Sequence, residues 1–166
     1  MTPSPGRSRI AYPRLAVLLA LAIVLSMAEA LLLPPLGVPG AKWGLANIIS
    51  LLVLLTFGFR AALVIAVVRV TLVSLLLGTF LGLGFWLSLG GGFFSVIVMG
   101  LALRLPKFGL LGVSILGATA HNLAQLAVYA LVMGSTGIFY LLPPLLGFAL
   151  LTGSITGMVV QRLRQY

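Results

Sequence analysis

Three strong hydrogen-bonding side chains, His121, Asn122 and Gln125, stand together in Ala-His-Asn-Leu-Ala-Gln (120–125), inside a stretch otherwise made of Leu, Val, Ala and Gly. His121 is the only histidine of the chain. The other strongly polar groups set among apolar residues are Glu29, Lys42, Asn47, Arg69 and Ser88. Glu29 is the only carboxylate side chain, because the chain contains no Asp, and there is no Cys. These types exclude much chemistry. Paired carboxylates, a metal-ligand cluster and a nucleophile–base–acid set are all missing from the sequence. Disulfides, iron–sulfur ligation and thiol catalysis need cysteine. What remains is recognition through hydrogen bonds and charge, so a binding protein is expected and not an enzyme, with no metal and no cofactor.

The solvent of such a chain follows from composition. Of 166 residues, 61% are hydrophobic and 7% charged, whereas a soluble domain carries about a quarter charged residues. A lipid bilayer is therefore its main surroundings. The net charge of +9 does not imply a nucleic-acid partner. The basic residues stand in ones and twos at the ends of apolar runs, with no cluster able to track phosphates.

Six apolar runs follow one another: Leu15 to Leu33, about Gly44 to Phe57, Ala61 to about Gly78, about Phe85 to Leu103, Gly109 to Met133, and about Phe139 to Val160. Crossing the hydrocarbon takes about 20 residues of helix, and helix satisfies every backbone polar group internally. The spacing predicts an all-α integral membrane protein, a single domain over residues 1–166 built as a six-transmembrane-helix bundle. Its weakest boundary is Thr79 to Trp86, where only glycines interrupt the apolar signal. Arg7, Arg9, Arg14, Arg60, Arg104, Lys107, Arg162 and Arg164 then share one side and Lys42 takes the other, so the positive-inside rule makes both termini cytoplasmic. Ala28-Glu29-Ala30 resembles a signal-peptide cleavage site. The apolar run continues through Leu31-Leu32-Leu33, so the first helix is expected to be retained.

That topology gives each polar residue a depth. His121 lies about 18 Å in from Gly109 at ~1.5 Å per residue, which puts it with Asn122 and Gln125 in the outer half. Glu29, Lys42, Asn47 and Ser88 share that half, and Arg69 sits near the middle of the third helix. Ser114, Gly117, His121 and Gln125 fall on one helical stripe. The reading is a pocket entered from outside, with Glu29, Lys42, Asn47, Arg69, Ser88, His121 and Gln125 as substrate-binding residues. Asn122 lies ~100° away round the helix and is expected to tie the fifth helix to a neighbour such as the Asn47 region. Plain packing hydrogen bonds between helices are the competing explanation for His121, and the preferred one for Ser114, Ser95 and the threonines of the sixth run. Glu29, as the only acid, must find Arg69, Lys42, His121 or a ligand, since a charge at the centre of a membrane helix costs ~2.5–3.5 kcal/mol and such residues face a cavity or each other.

Small residues form two further stripes. Ala149, Gly153 and Gly157 in the sixth run read as an intramolecular contact. Ala16 and Ala20 in the first run suit either internal packing or a partner protein.

Three segments carry a resemblance: Pro-Gly-Ala-Lys-Trp-Gly-Leu-Ala-Asn-Ile-Ile-Ser-Leu (39–51), Ser-Leu-Gly-Gly-Gly-Phe-Phe-Ser-Val-Ile-Val-Met-Gly (88–100) and Gly-Val-Ser-Ile-Leu-Gly-Ala-Thr-Ala-His-Asn-Leu-Ala-Gln (112–125). From Glu29 to about Gly157 the chain resembles the bacterial membrane family labelled "Gx transporter" or "heptaprenyl diphosphate synthase component I". It departs at Trp43, where a small aliphatic residue is expected. Prenyl diphosphate synthases need Asp-rich clusters to hold Mg²⁺ against diphosphate, which a chain without Asp lacks. The transporter label is similar to the substrate-binding S components of energy-coupling-factor vitamin transporters, six-helix proteins with a site in the outer half of the membrane. Their first helix docks through an Ala-x-x-x-Ala face. By that likeness Ala16 and Ala20 would meet a membrane coupling protein carrying an ATPase pair, in the bacterial cytoplasmic membrane. The alternative is a redox membrane partner: a non-catalytic subunit of quinone- or flavin-linked electron transfer, or of isoprenoid-quinone metabolism. One histidine and no cysteine cannot hold a bis-His haem or a cluster.

Overall fold

The computed structural model describes residues 5–32 and 44–165, with side chains from Tyr12 onward. Its elements run α1 (Pro5–Leu32), α2 (Leu45–Phe57), α3 (Phe59–Leu76), α4 (Leu83–Ala102), α5 (Leu110–Met133), a 3₁₀ segment (Thr136–Leu141) and α6 (Leu142–Leu163). All the regular structure among the described residues is helical.

Five of the six helices are long and apolar enough to cross a membrane. The sixth, α2, has 13 residues, about 20 Å of helix against a hydrocarbon core of about 30 Å. Its shortness is matched by burial, since Ala46, Ile49, Ser50, Leu51, Val53 and Leu54 are all enclosed. Gly58 alone separates α2 from α3, at φ +87°, a backbone state that glycine adopts without steric cost.

Packing is that of a protein whose outside is lipid. Leu31, Leu75, Phe94, Leu131, Leu151 and Ile155 are exposed, while Glu29, Arg69, Ser95, Ser114, His121, Asn122, Gln125 and Thr156 are buried. Water would reverse this distribution. The chain is thus a multi-pass membrane protein. Its apolar core joins Ala22 of α1, Leu51 and Val53 of α2, Ala62 and Ile65 of α3, Val96 and Met99 of α4, and Val113 of α5.

The most extensive contacts pair α5 with α4 and with α6, and glycines let these backbones meet. A Cβ on Gly153 would stand 2.7 Å from Ile115 Cα, and one on Gly157 2.9 Å from Leu111 Cα. The α6 small-residue stripe is therefore an intramolecular seam, as expected. By contrast Ala16 and Ala20 are exposed on α1, so internal packing does not account for them.

Several boundaries moved: α3 runs from Phe59 to Leu76 instead of Ala61 to about Gly78, and α6 ends at Leu163 instead of about Val160. α1 begins at Pro5 instead of Leu15, and α4 at Leu83 instead of Phe85. α6 begins at Leu142, because the chain first makes a 3₁₀ segment and then sets Pro143 and Pro144 in the first turn of the α-helix. Proline is tolerated there, where its missing N–H would have no helical partner. The ambiguous stretch after Leu76 is a turn over 77–82, in which Leu81 takes φ +60°.

Candidate functional site

The ends of α1 and α3 and the starts of α2 and α4 meet at one end of the bundle. Here lies a cavity of about 690 Å³ to which every helix contributes. α1 gives Ser26 and Glu29, α2 gives Asn47 with Gly44 before it, and α3 gives Arg69, Val70, Val73 and Ser74. The 77–82 turn covers one side, with Leu83, Gly84, Phe85 and Ser88 of α4 beside it; Ala118, His121 and Asn122 of α5 and Thr152 of α6 complete the wall.

The charged groups are held separately. Glu29 Oε1 accepts a 2.7 Å hydrogen bond from the backbone N–H of Gly44, the residue preceding α2. The start of a helix carries partial positive charge, so the acid sits where a negative charge is favoured. Arg69 Nη1 donates to Ser26 Oγ at 3.2 Å, and that hydroxyl donates to Ala22 O at 2.7 Å. Glu29 attracts the Arg69 guanidinium, but the two are not joined by a contact ion pair among the described residues. A backbone amide is thus a partner of Glu29 that was not among the expected ones, which were Arg69, Lys42, His121 or a ligand. Arg69 Nε is buried and has no hydrogen-bond partner among the described residues.

On α5 the buried face is Ser114, Gly117, His121 and Gln125, joined by Val113, Asn122 and Leu126. His121 reaches the cavity, packed over Gly91 of α4: a Cβ on Gly91 would lie 2.8 Å from His121 Cε1 and Nε2, and 3.0 Å from Gln125 Cγ. Gln125 is buried in the α4–α5 contact and is not among the lining residues. Its Nε2 has no hydrogen-bond partner among the described residues. Asn122 Nδ2 donates to Leu145 O at 2.9 Å. It ties α5 to α6, not to α2 as anticipated, while also lining the cavity.

Of the residues picked out in the sequence, Glu29, Asn47, Arg69, Ser88 and His121 converge on this cavity. Lys42 lies outside the described residues. Sequence reasoning missed Ser26, Ser74, Thr79 and Thr152. Ser26 had a signal, since it precedes Glu29 by three residues and shares its helical face. Thr152 had none. Its hydroxyl donates to Phe148 O of its own helix at 2.9 Å, where a hydrogen bond between helices was expected.

What the arrangement can do is recognise. Carboxylate, guanidinium, imidazole, amide and hydroxyl groups face one volume whose remaining walls are apolar, the usual make-up of a small-molecule site. No curated protein and no solved structure matches the chain. The family model described as heptaprenyl diphosphate synthase component I matches residues 18–163, almost the whole bundle. By that match the chain belongs to the heptaprenyl diphosphate synthase component I family.

Proposed function

We propose that this protein is the membrane-embedded substrate-binding subunit of a small-molecule uptake transporter in the bacterial cytoplasmic membrane. It binds its ligand from outside, with both termini in the cytoplasm. The observation that carries this reading is the cavity itself, which is lined by polar side chains from all six helices, with Glu29, Arg69, Ser74, His121 and Asn122 buried among them, at one end of the bundle. Packing alone gives no reason for them to collect around an unfilled volume. Energy would come from a membrane coupling protein with an ATPase pair, and the exposure of Ala16 and Ala20 on α1 supports that helix as the docking surface.

The family's name refers to a prenyl diphosphate synthase. A chain with no Asp lacks the carboxylate clusters that hold Mg²⁺ against diphosphate, so a non-catalytic role is the one its residues suit. Purification of the tagged full-length protein from its native membrane, with mass spectrometry of associated proteins and small molecules, tests the proposal. An ATPase pair and a bound small molecule are expected. Redox proteins without an ATPase would overturn the transport reading in favour of an electron-transfer subunit.

A further inference from the structure

The least satisfied group in the cavity is Arg69. It is 6% exposed, it lines the cavity, and a guanidinium has five N–H donors and no acceptor. Among the described residues one of those donors is used, in the 3.2 Å bond from Nη1 to Ser26 Oγ, and Nε has no partner. On the far side Gly92 of α4 closes against it, where a Cβ would lie 3.5 Å from Nη2. The guanidinium therefore lies between α1 and α4, fixed at one corner. A buried cation left this way is costly unless a further acceptor reaches it.

Glu29 is not that acceptor. Its carboxylate is engaged by the Gly44 amide at the start of α2, where the helix dipole favours it. The two charges attract each other but are satisfied by different elements. We infer that the missing acceptor comes from the ligand: the cavity takes a monoanionic carboxylic acid, its carboxylate on Arg69 and its apolar body against Val70, Val73, Leu77 and Phe85. The proposal rests on the binding role set out above and adds the chemical class of the ligand. Planar carboxylates match the guanidinium fork. A single negative charge fits better than a dianionic phosphate, because Glu29 already places one anion in the same cavity and a second charge on the ligand would be repelled.

Binding of three probes of equal size to the detergent-purified full chain at neutral pH separates the possibilities: 3-phenylpropanoate, its neutral amide, and phenethyl phosphate. The acid is expected to bind at least about tenfold more tightly than the amide, the ratio given by one charge-assisted hydrogen bond. It should also outcompete the phosphate. Arg69→Gln should bring acid and amide close to parity, with Arg69→Lys recovering part of the preference. Because the acid–amide contrast is read on the unaltered protein, the test survives if the variants fail to fold. Equal binding of acid and amide, no binding of the acid, or tighter binding of the phosphate would each overturn the carboxylate assignment. A co-purifying ligand without an acidic group would do the same while leaving the binding role intact. Recovery of redox partners and no ATPase would remove the transport reading instead.

Discussion

The carboxylate of Glu29 and the backbone amide of Gly44 stand 2.7 Å apart, so the one acidic side chain of this protein is held by the start of a helix and not by an arginine. The bond fastens the C-terminal end of α1 to the start of α2, and with it one side of the cavity. Glu29→Ala is expected to destabilise the protein by about 1–3 kcal/mol, the cost of leaving a buried donor without its acceptor. Glu29→Gln, which keeps an acceptor oxygen, should cost less. Thermal unfolding in detergent reads the difference, and an unchanged midpoint for Glu29→Ala would mean that the bond contributes nothing.

Gly44 offers a second test of the same junction. Its φ of +79° lies in the left-handed region, yet a Cβ there would meet Thr152 Cβ only at 3.7 Å. Space is adequate and the backbone conformation is not. Gly44→Ala should therefore cost about 1–2 kcal/mol, the steric penalty of a left-handed residue, without blocking the cavity. A large loss of ligand with an unaltered melting point would contradict this.

His121 and Asn122 are adjacent and should separate by role. Asn122→Ala removes the bond to Leu145 O and is expected to lower stability by roughly 0.5–1.5 kcal/mol. His121→Ala should instead weaken ligand retention by about 1–3 kcal/mol and leave the fold standing. Retention measured by mass spectrometry, set beside the unfolding midpoint, distinguishes them. A His121→Ala protein that melts much lower but holds ligand normally would make the histidine a packing residue.

The glycine contacts predict a graded series. Gly153→Ala drives a methyl against the Ile115 backbone at 2.7 Å, so α5 and α6 must part, at about 1–3 kcal/mol for overpacking. Gly91→Ala meets the His121 ring at 2.8 Å. Because a ring can turn where a backbone cannot, that variant should lose ligand affinity more than stability. If Gly153→Ala proves neutral by thermal unfolding, the close approach of the two helices is wrong.

Ala16 and Ala20 are exposed, so Trp at either position has room to stand outward. We expect Ala16→Trp and Ala20→Trp to leave the unfolding midpoint within about 0.5 kcal/mol of wild type, as for surface changes, and to abolish recovery of the energising partner. A marked drop in the midpoint would show that the face packs internally.

The number of helices, their order, the lipid-facing exterior and the breaks near Phe57 and Met133 were legible in the sequence. Each is local: an apolar run and its punctuation report burial and helix ends without reference to any other segment. So too was the set of polar residues, of which Glu29, Asn47, Arg69, Ser88 and His121 share one cavity. Tertiary structure decided what each of them does. His121 and Gln125 lie one turn apart on one face of α5 and both pack against Gly91, but only His121 reaches the cavity. The partner of Glu29 is a backbone amide, which no residue type announces, and the partner of Asn122 is a carbonyl of α6. Thr152 joins the wall because α6 packs beside α2. Residue types supplied the polar groups, whereas the rotation and depth of each helix determined which of them meet.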